Sequence, residues 1–272
     1  MSETKKLQKD ANVILKQTSR TFYIPITLLK SPLKETVASA YLCMRAVDEI
    51  EDHEELNSDI KAYLLRSVSD LLEHGFDDAV YRELLGPYEL LLPEVTLRLG
   101  DWIRLCPDGI VTDVKESTGT MARGMAEWAE KDWDVKDRAD LDDYTYYVAG
   151  LVGVMLSDIW EWYDGTQTNR EQAIGYGRGL QAVNILRNQD EDSERGVNFV
   201  PDGWTRDDMF AYTEYNLAQA DAYMNDIHTR TIKLFCRIPL ALAKQTIKAL
   251  KEGREKISRN EVETIVEDIK DD

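Results

Sequence analysis

No stretch of this sequence sustains the two-residue alternation of a half-buried β-strand, whereas apolar residues recur at three- and four-residue spacing through almost its whole length. Residues 4–18 place Leu7, Ala11, Ile14 and Leu15 on one face, and residues 59–74 do the same with Leu64, Leu65, Val68, Leu71 and Leu72. Further helices are expected over 32–51, 78–92, 93–105, 108–129, 142–162, 170–193, 205–232 and 239–251, with the acidic tail beyond them marginal. Pro25 and Pro32 bracket a short connection, and Pro32 opens a helix at a position where its missing N–H costs nothing. The stretch 142–162 is apolar on every side, which marks a central helix. With no repeat, low-complexity tract or linker to divide it, the chain is expected to be all-α and a single domain over residues 1–272. A helical bundle is the natural architecture, and the inward-facing side chains of a bundle can build a metal site.

Two segments carry polar groups where buried helix faces are ordinarily apolar. In YLCMRAVDEIED, Tyr41, Arg45, Asp48 and Asp52 step by four, three and four residues, which stacks them on one face of a helix. In NILRNQDED, Asn184, Asn188 and Asp192 follow a four-residue step, and Arg187 and Arg195 flank the same stripe. An acidic pair on a helix is more often a solvated face than a site. Here, however, the first stripe also holds a tyrosine and an arginine, and a second polar stripe recurs about 140 residues later. Carboxylates one turn apart repel each other unless a positive charge lies between them. A hard divalent cation such as Mg²⁺ takes oxygen ligands and commonly shares them with substrate phosphates.

Charge bounds the partners. Lysine and arginine number 33 against 51 aspartates and glutamates, a formal net charge of −18. That field repels nucleic acid and disfavours adhesion to anionic lipid. A diphosphate ligand would therefore need local arginine and metal charge. Cys43, Cys106 and Cys236 are scattered without a CxxC spacing, which suggests neither a disulfide scaffold nor structural zinc. The start of the sequence, MSETKKLQKD, has no apolar core of a secretory signal, so a cytoplasmic setting is expected. The longest apolar run, residues 148–156, is too short to span a bilayer, which leaves membrane contact peripheral at most. His53, His74 and His228 are too dispersed for a metal site. Nothing in the sequence sets the oligomeric state.

In order along the chain, the motifs resemble those of the squalene and phytoene synthase family, from about residue 19 to about residue 239. SRTF, from Ser19 to Phe22, matches the family's S-R-[ST]-F entry, and YLCMRAVDEIED matches its first aspartate-rich motif. MARGMAE is similar to M-x-x-G-M-A-E, and YTYYVAGLVG to the Y-C-x-Y-V-A-G-x-V-G segment of the squalene synthase branch. LQAVNILRNQDEDSERG is similar to N-I-[IL]-R-D-x-x-E-D, and NFVP to the region after it.

The resemblance implies an isoprenoid-synthase fold and head-to-head condensation of two prenyl diphosphates, farnesyl or geranylgeranyl. The product would be a thirty- or forty-carbon hydrocarbon such as squalene, dehydrosqualene or phytoene. It implies Mg²⁺ held by Asp48, Asp52, Asn188 and Asp192. It places Ser19, Arg20, Phe22, Arg45, Asn184, Arg187 and Arg195 on the substrate, with Met121, Met125 and Val148 as apolar lining. Tyr144 and Tyr41 take catalytic positions at the cation or the departing diphosphate. NADPH use stays open, because the family binds that cofactor without a GxGxxG loop. One position departs from the pattern: Asn188 stands where the family's second motif opens with aspartate. An asparagine is a weaker, neutral ligand, so one alternative is ionisation followed by capture with water, giving a prenyl diphosphate phosphatase that releases an alcohol. A non-catalytic isoprenoid-binding or assembly protein on the same fold is the other.

Overall fold

A computed structural model describes residues 3–19, 21–194 and 196–271, and among them the chain is helical without a strand. Its contacts group into two compact units, Met1–Tyr23 with Lys30–Trp133, and Ile24–Leu29 with Asp134–Asp272.

The first unit holds α1 (Glu3–Thr18), α3 (Leu33–Glu51), α4 (Ser58–His74), α5 (Asp78–Leu85), α6 (Glu94–Leu97), α7 (Leu99–Leu105) and α8 (Val111–Glu130), while α2 (Tyr23–Leu28) belongs from Ile24 onward to the second. Helix α3 is the centre of this unit and packs against α1, α4, α6, α7 and α8, while α4 lies along α8. It can do so because Val37, Ala40, Leu42, Cys43, Ala46, Val47 and Ile50 are buried around most of its circumference. The stripe of Tyr41, Arg45 and Asp48 keeps partial exposure, as do Lys34, Glu35, Ala38 and Glu49. Three buried hydroxyls find partners across these contacts. Ser39 Oγ donates to the Trp102 carbonyl at 2.6 Å, Thr96 Oγ1 to that of Ala46 at 2.9 Å, and Tyr81 OH to that of Thr96 at 2.8 Å.

Two expected helices of this unit are shorter than their periodicity suggests. The helix expected over 78–92 ends at Leu85, and Gly86–Tyr88 forms a single 3₁₀ turn around Pro87, which cannot continue the ladder. The one expected over 93–105 is broken at Arg98, whose backbone leaves the helical region at φ −110° and ψ 24°.

The second unit contains α9 (Arg138–Thr145), α10 (Leu151–Asp164), α11 (Arg170–Glu194), α12 (Arg206–Asn225), α13 (Arg230–Lys251) and α14 (Arg259–Asp271). The apolar stretch expected as one helix over 142–162 is a longer rod in which a π turn, Tyr146–Gly150, joins α9 to α10. Gly165 stops it in the left-handed conformation that favours glycine, at φ 78°. Helix α11 packs against α12, α10 and the π turn. The helix expected over 205–232 ends instead at Asn225, and Pro239 lies inside α13 rather than at its start. A proline costs a helix interior one hydrogen bond and a kink. Burial of Ile232, Leu234, Phe235, Ile238 and Leu240 around it outweighs that. The tail expected to be marginal is α14, whose Val266 and Ile269 pack against Leu234 and Ile238, with Ile24 and Leu28 alongside. Each such burial contributes on the order of 1.5–3 kcal/mol. Among the described residues, no helix is long and apolar enough to cross a membrane.

Candidate functional site

The first polar stripe lies on α3 as its spacing predicts. Arg45 is the hub: its guanidinium pairs with Asp48, donates from Nε and Nη2 to Glu49 Oε1 at 2.9 and 2.6 Å, and lies 3.7 Å from Asp52 Oδ2. Asp52 caps the helix, its N–H donating to the Asp48 carbonyl at 2.9 Å. One turn earlier, Tyr41 OH donates to the Thr18 carbonyl at 3.1 Å, and its ring centroid lies 6.3 Å from that of Phe22. Ser19 is buried and its Oγ accepts from the Phe22 N–H at 2.9 Å. The entry segment is thereby folded back onto the head of the stripe. Arg20 and Arg195 lie outside the described residues.

A third carboxylate, which the helical stripe alone does not single out, belongs to this group. Glu51 is buried, and oxygen atoms of Asp48, Glu51 and Asp52 lie within 4.8 Å of one another, a spacing that one cation can bridge. The spacing Asp48 to Glu51 is three residues, so helical geometry brings the two near each other. Burial pushes the Asp48 carboxyl up to about 7; the Asp52 charge adds to the push and Arg45 opposes it. Glu51 is held well above the carboxylate range by burial first, then by Asp52 and Asp48, against the Trp133 hydrogen bond and Lys61. Asp52 is raised by burial and Glu49 against Arg45, and with 56% of its side chain exposed, water screens that push. Burial works against the Arg45 charge, yet Asp48, Glu49 and Asp52 together keep it protonated beyond its ordinary range. Burial also raises the Tyr41 phenol, partly offset by Ser19 and Arg45. Three crowded carboxylates that resist joint ionisation, with oxygen donors only, suit a hard divalent cation such as Mg²⁺.

A second acidic group, Asp70, Glu73 and His74, is exposed on α4, where Glu73 pairs with Arg123. It has the look of a solvated surface.

Met121 and Met125 are buried in α8, at 3% and 0% exposure. Such soft side chains fill core gaps and adapt to an apolar neighbour. In the second unit, Tyr144 is buried on α9 and stacks on Phe199, ring centroids 4.6 Å apart. Val148 is half-buried within the π turn, a local form often found at functional positions.

On α11, Asn184, Asn188 and Asp192 occupy successive turns. Asn184 Nδ2 donates to Gln181 Oε1 at 3.3 Å, Arg187 Nε donates to Asn188 Oδ1 at 3.1 Å, and Asp192 is buried. Asp190 and Glu191, the neighbouring acids, are exposed. Among the described residues, Asp192 joins neither acidic group of metal-sharing spacing.

A family model described as squalene/phytoene synthase matches residues 15–209, which covers both stripes and every motif between them. The chain belongs to the squalene/phytoene synthase family. Squalene synthase of Dictyostelium discoideum is 28% identical over 272 aligned residues, covering 87% of this chain and 62% of that one. Squalene synthase of Candida albicans is 34% identical over 216, covering 74% and 46%. The chain thus spans less than two thirds of the length of these curated relatives. The solved structure of TcSQS with the ligand BPH1237 superposes with a TM-score of 0.77 at 22% identity, over 96% of this chain and 86% of that one. That likeness establishes the isoprenoid-synthase type of all-α fold.

Proposed function

We propose that this chain is a Mg²⁺-dependent prenyltransferase that condenses two prenyl diphosphates head to head into a thirty- or forty-carbon hydrocarbon of the squalene, dehydrosqualene or phytoene type. The observation that carries the reading is the cluster of Asp48, Glu51 and Asp52 beside Arg45, set within family motifs that match over residues 15–209. Mg²⁺, when bound, would offset the charge of a departing diphosphate. Asp48, Glu51 and Asp52 are the residues of α3 that would hold it. Arg45 presents a planar fork suited to phosphate oxygens. Tyr41, with its phenol kept protonated by burial, is a hydrogen-bond donor rather than a base. Tyr144, stacked on Phe199, offers an aromatic face of the kind that stabilises a cation. Buried, apolar Met121 and Met125 on α8 suit a wall that excludes water, which would otherwise capture the cation as an alcohol.

One observation favours a second reading. Asn188 is uncharged and its carbonyl already accepts from Arg187, so the second motif binds a metal more weakly than an aspartate pair would. Ionisation without condensation would then release a prenyl alcohol. Incubation of the purified protein with farnesyl and geranylgeranyl diphosphates and Mg²⁺, with and without NADPH, followed by mass analysis, tests both. A hydrocarbon built from two substrates supports the synthase. Alcohol as the sole organic product replaces it with the phosphatase, and no diphosphate release from any prenyl substrate overturns both.

A further inference from the structure

The third carboxylate of the α3 cluster is held from behind by residues the family motifs do not include. Trp133 Nε1 donates to Glu51 Oε1 at 2.5 Å, although 82 residues separate them. Lys61, buried on α4, donates from Nζ to the Glu51 backbone carbonyl at 2.5 Å, and its ammonium lies 4.9 Å from the centroid of the Trp133 ring. Glu51 is therefore fixed twice, at its side chain and at its backbone, by two different elements. The backbone bond matters because Glu51 ends α3, where the last carbonyls lack partners within the helix and the helix dipole favours a cation.

The route by which Trp133 arrives there is costly. Asp132 and Trp133 leave α8 in the left-handed region at φ 50° and 52°, a conformation that side chains larger than glycine rarely adopt. The turn is pinned from α4, Ser58 Oγ donating to Asp132 Oδ1 at 2.6 Å. Strain that persists in a pinned turn points to a geometry the surroundings enforce. Here the enforced geometry delivers the indole N–H to a buried carboxylate of the metal cluster.

We infer that Trp133 and Lys61 are positioning residues for metal binding: they hold Glu51, and with it the last turn of α3, so that its carboxylate stands with those of Asp48 and Asp52. The inference rests on the proposed metal role of that cluster. Partners behind a metal ligand are typically worth 10–100-fold in metal affinity.

Mn²⁺ is the probe, titrated into the metal-free protein and followed by electron paramagnetic resonance. Trp133→Phe keeps an aromatic ring while removing the indole N–H and part of its bulk; Lys61→Met removes the ammonium, and Lys61→Arg keeps a donor for the Glu51 carbonyl. We expect Trp133→Phe and Lys61→Met to weaken Mn²⁺ binding by about tenfold, and Lys61→Arg to recover most of it. In turnover assays, the Mg²⁺ concentration for half-maximal rate should rise by a similar factor in those two variants. Their rate at saturating Mg²⁺ should stay within about twofold of the parent. Thermal melts of the metal-free proteins separate this from a packing role. Variants that melt lower yet bind Mn²⁺ like the parent overturn the inference. A parent protein that binds no Mn²⁺ overturns the metal reading of the cluster itself.

Discussion

The side-chain carbonyl of Asn188 accepts a hydrogen bond from Nε of its neighbour Arg187 at 3.1 Å. Asn188 thus presents an oxygen that an adjacent cation already occupies. A metal approaching Asn188 would meet a neutral donor and a nearby positive charge. Asn188→Asp adds a carboxylate that neutralises Arg187 and strengthens the site. We expect metal affinity to rise about tenfold, equivalent to about 1.4 kcal/mol. The ratio of hydrocarbon to alcohol should rise with it. Mn²⁺ titration and mass analysis of products check the two halves separately, and an unchanged product ratio would show that this position does not set the fate of the cation.

Metal binding should depend on pH near neutrality. The Asp48 carboxyl is pushed up to about 7 in the folded protein, against about 3.9 in an unfolded chain. The folded state therefore holds its proton more readily than the unfolded state. The associated stability is fully present below about pH 4 and is lost as pH rises through about 7. Metal-free protein should lose stability across this window, while Mg²⁺, which must displace that proton, binds progressively better. The rise in melting temperature on replacing EDTA with Mg²⁺ should be small at pH 5.5 and large at pH 8. An equal Mg²⁺ effect at both values would mean that the cluster does not bind the ion.

Replacing Asp48 with asparagine separates fold from function. The substitution keeps the shape and the acceptor for Arg45 while removing a negative charge that Asp52 and Glu49 repel. Metal-free Asp48→Asn should melt no lower than the parent at pH 8. Diphosphate release should fall by at least about 100-fold, a loss of about 2.7 kcal/mol or more in transition-state stabilisation. Release measured by a coupled phosphate assay near the parental rate would remove Asp48 from the machinery.

The legible features were those set by local geometry. Tyr41, Arg45 and Asp48 share a face of α3 because helix periodicity alone puts them there, and Arg45 reaches two carboxylates at three and four residues' distance. Helical spacing puts Glu51 near Asp48, but its anchoring is not legible, because Trp133 lies 82 residues away and arrives through a strained turn no periodicity announces. Pro239 misled in the opposite sense. A proline is a natural helix start, but the apolar face of α13 continues through it and is buried on both sides. The tail looked marginal for its charge, yet Val262, Ile265, Val266 and Ile269 sit at helical spacing and pack on α13. The π turn at Tyr146–Gly150 carries no signal in apolar periodicity, since every side of that stretch is apolar.

That π turn makes the last prediction. A side chain built on Gly177 of α11 would place its Cβ 2.4 Å from the Ala149 carbonyl oxygen and 2.9 Å from the Gly150 Cα. Real Cβ atoms do not approach backbone so closely, and backbone, unlike a side-chain tip, cannot swing away. Gly153 stands in the same relation to Ala173, its Cβ falling 2.3 Å from the carbonyl oxygen. The two glycines let α11 and the α9–α10 rod meet backbone to backbone. Gly177→Ala should therefore force the elements apart at a cost of about 1–3 kcal/mol, the usual range for an overfilled core. At about 2–4 °C per kcal/mol for a chain of this size, the melting temperature should fall by several degrees. Gly86→Ala is the control: a Cβ there meets nothing within 4 Å, and the residue is already in the right-handed helical region at φ −49°. That substitution should change stability by less than about 0.5 kcal/mol. Equal melting temperatures for the two variants would mean that α11 and the π turn are not in backbone contact, and that Gly177 is dispensable.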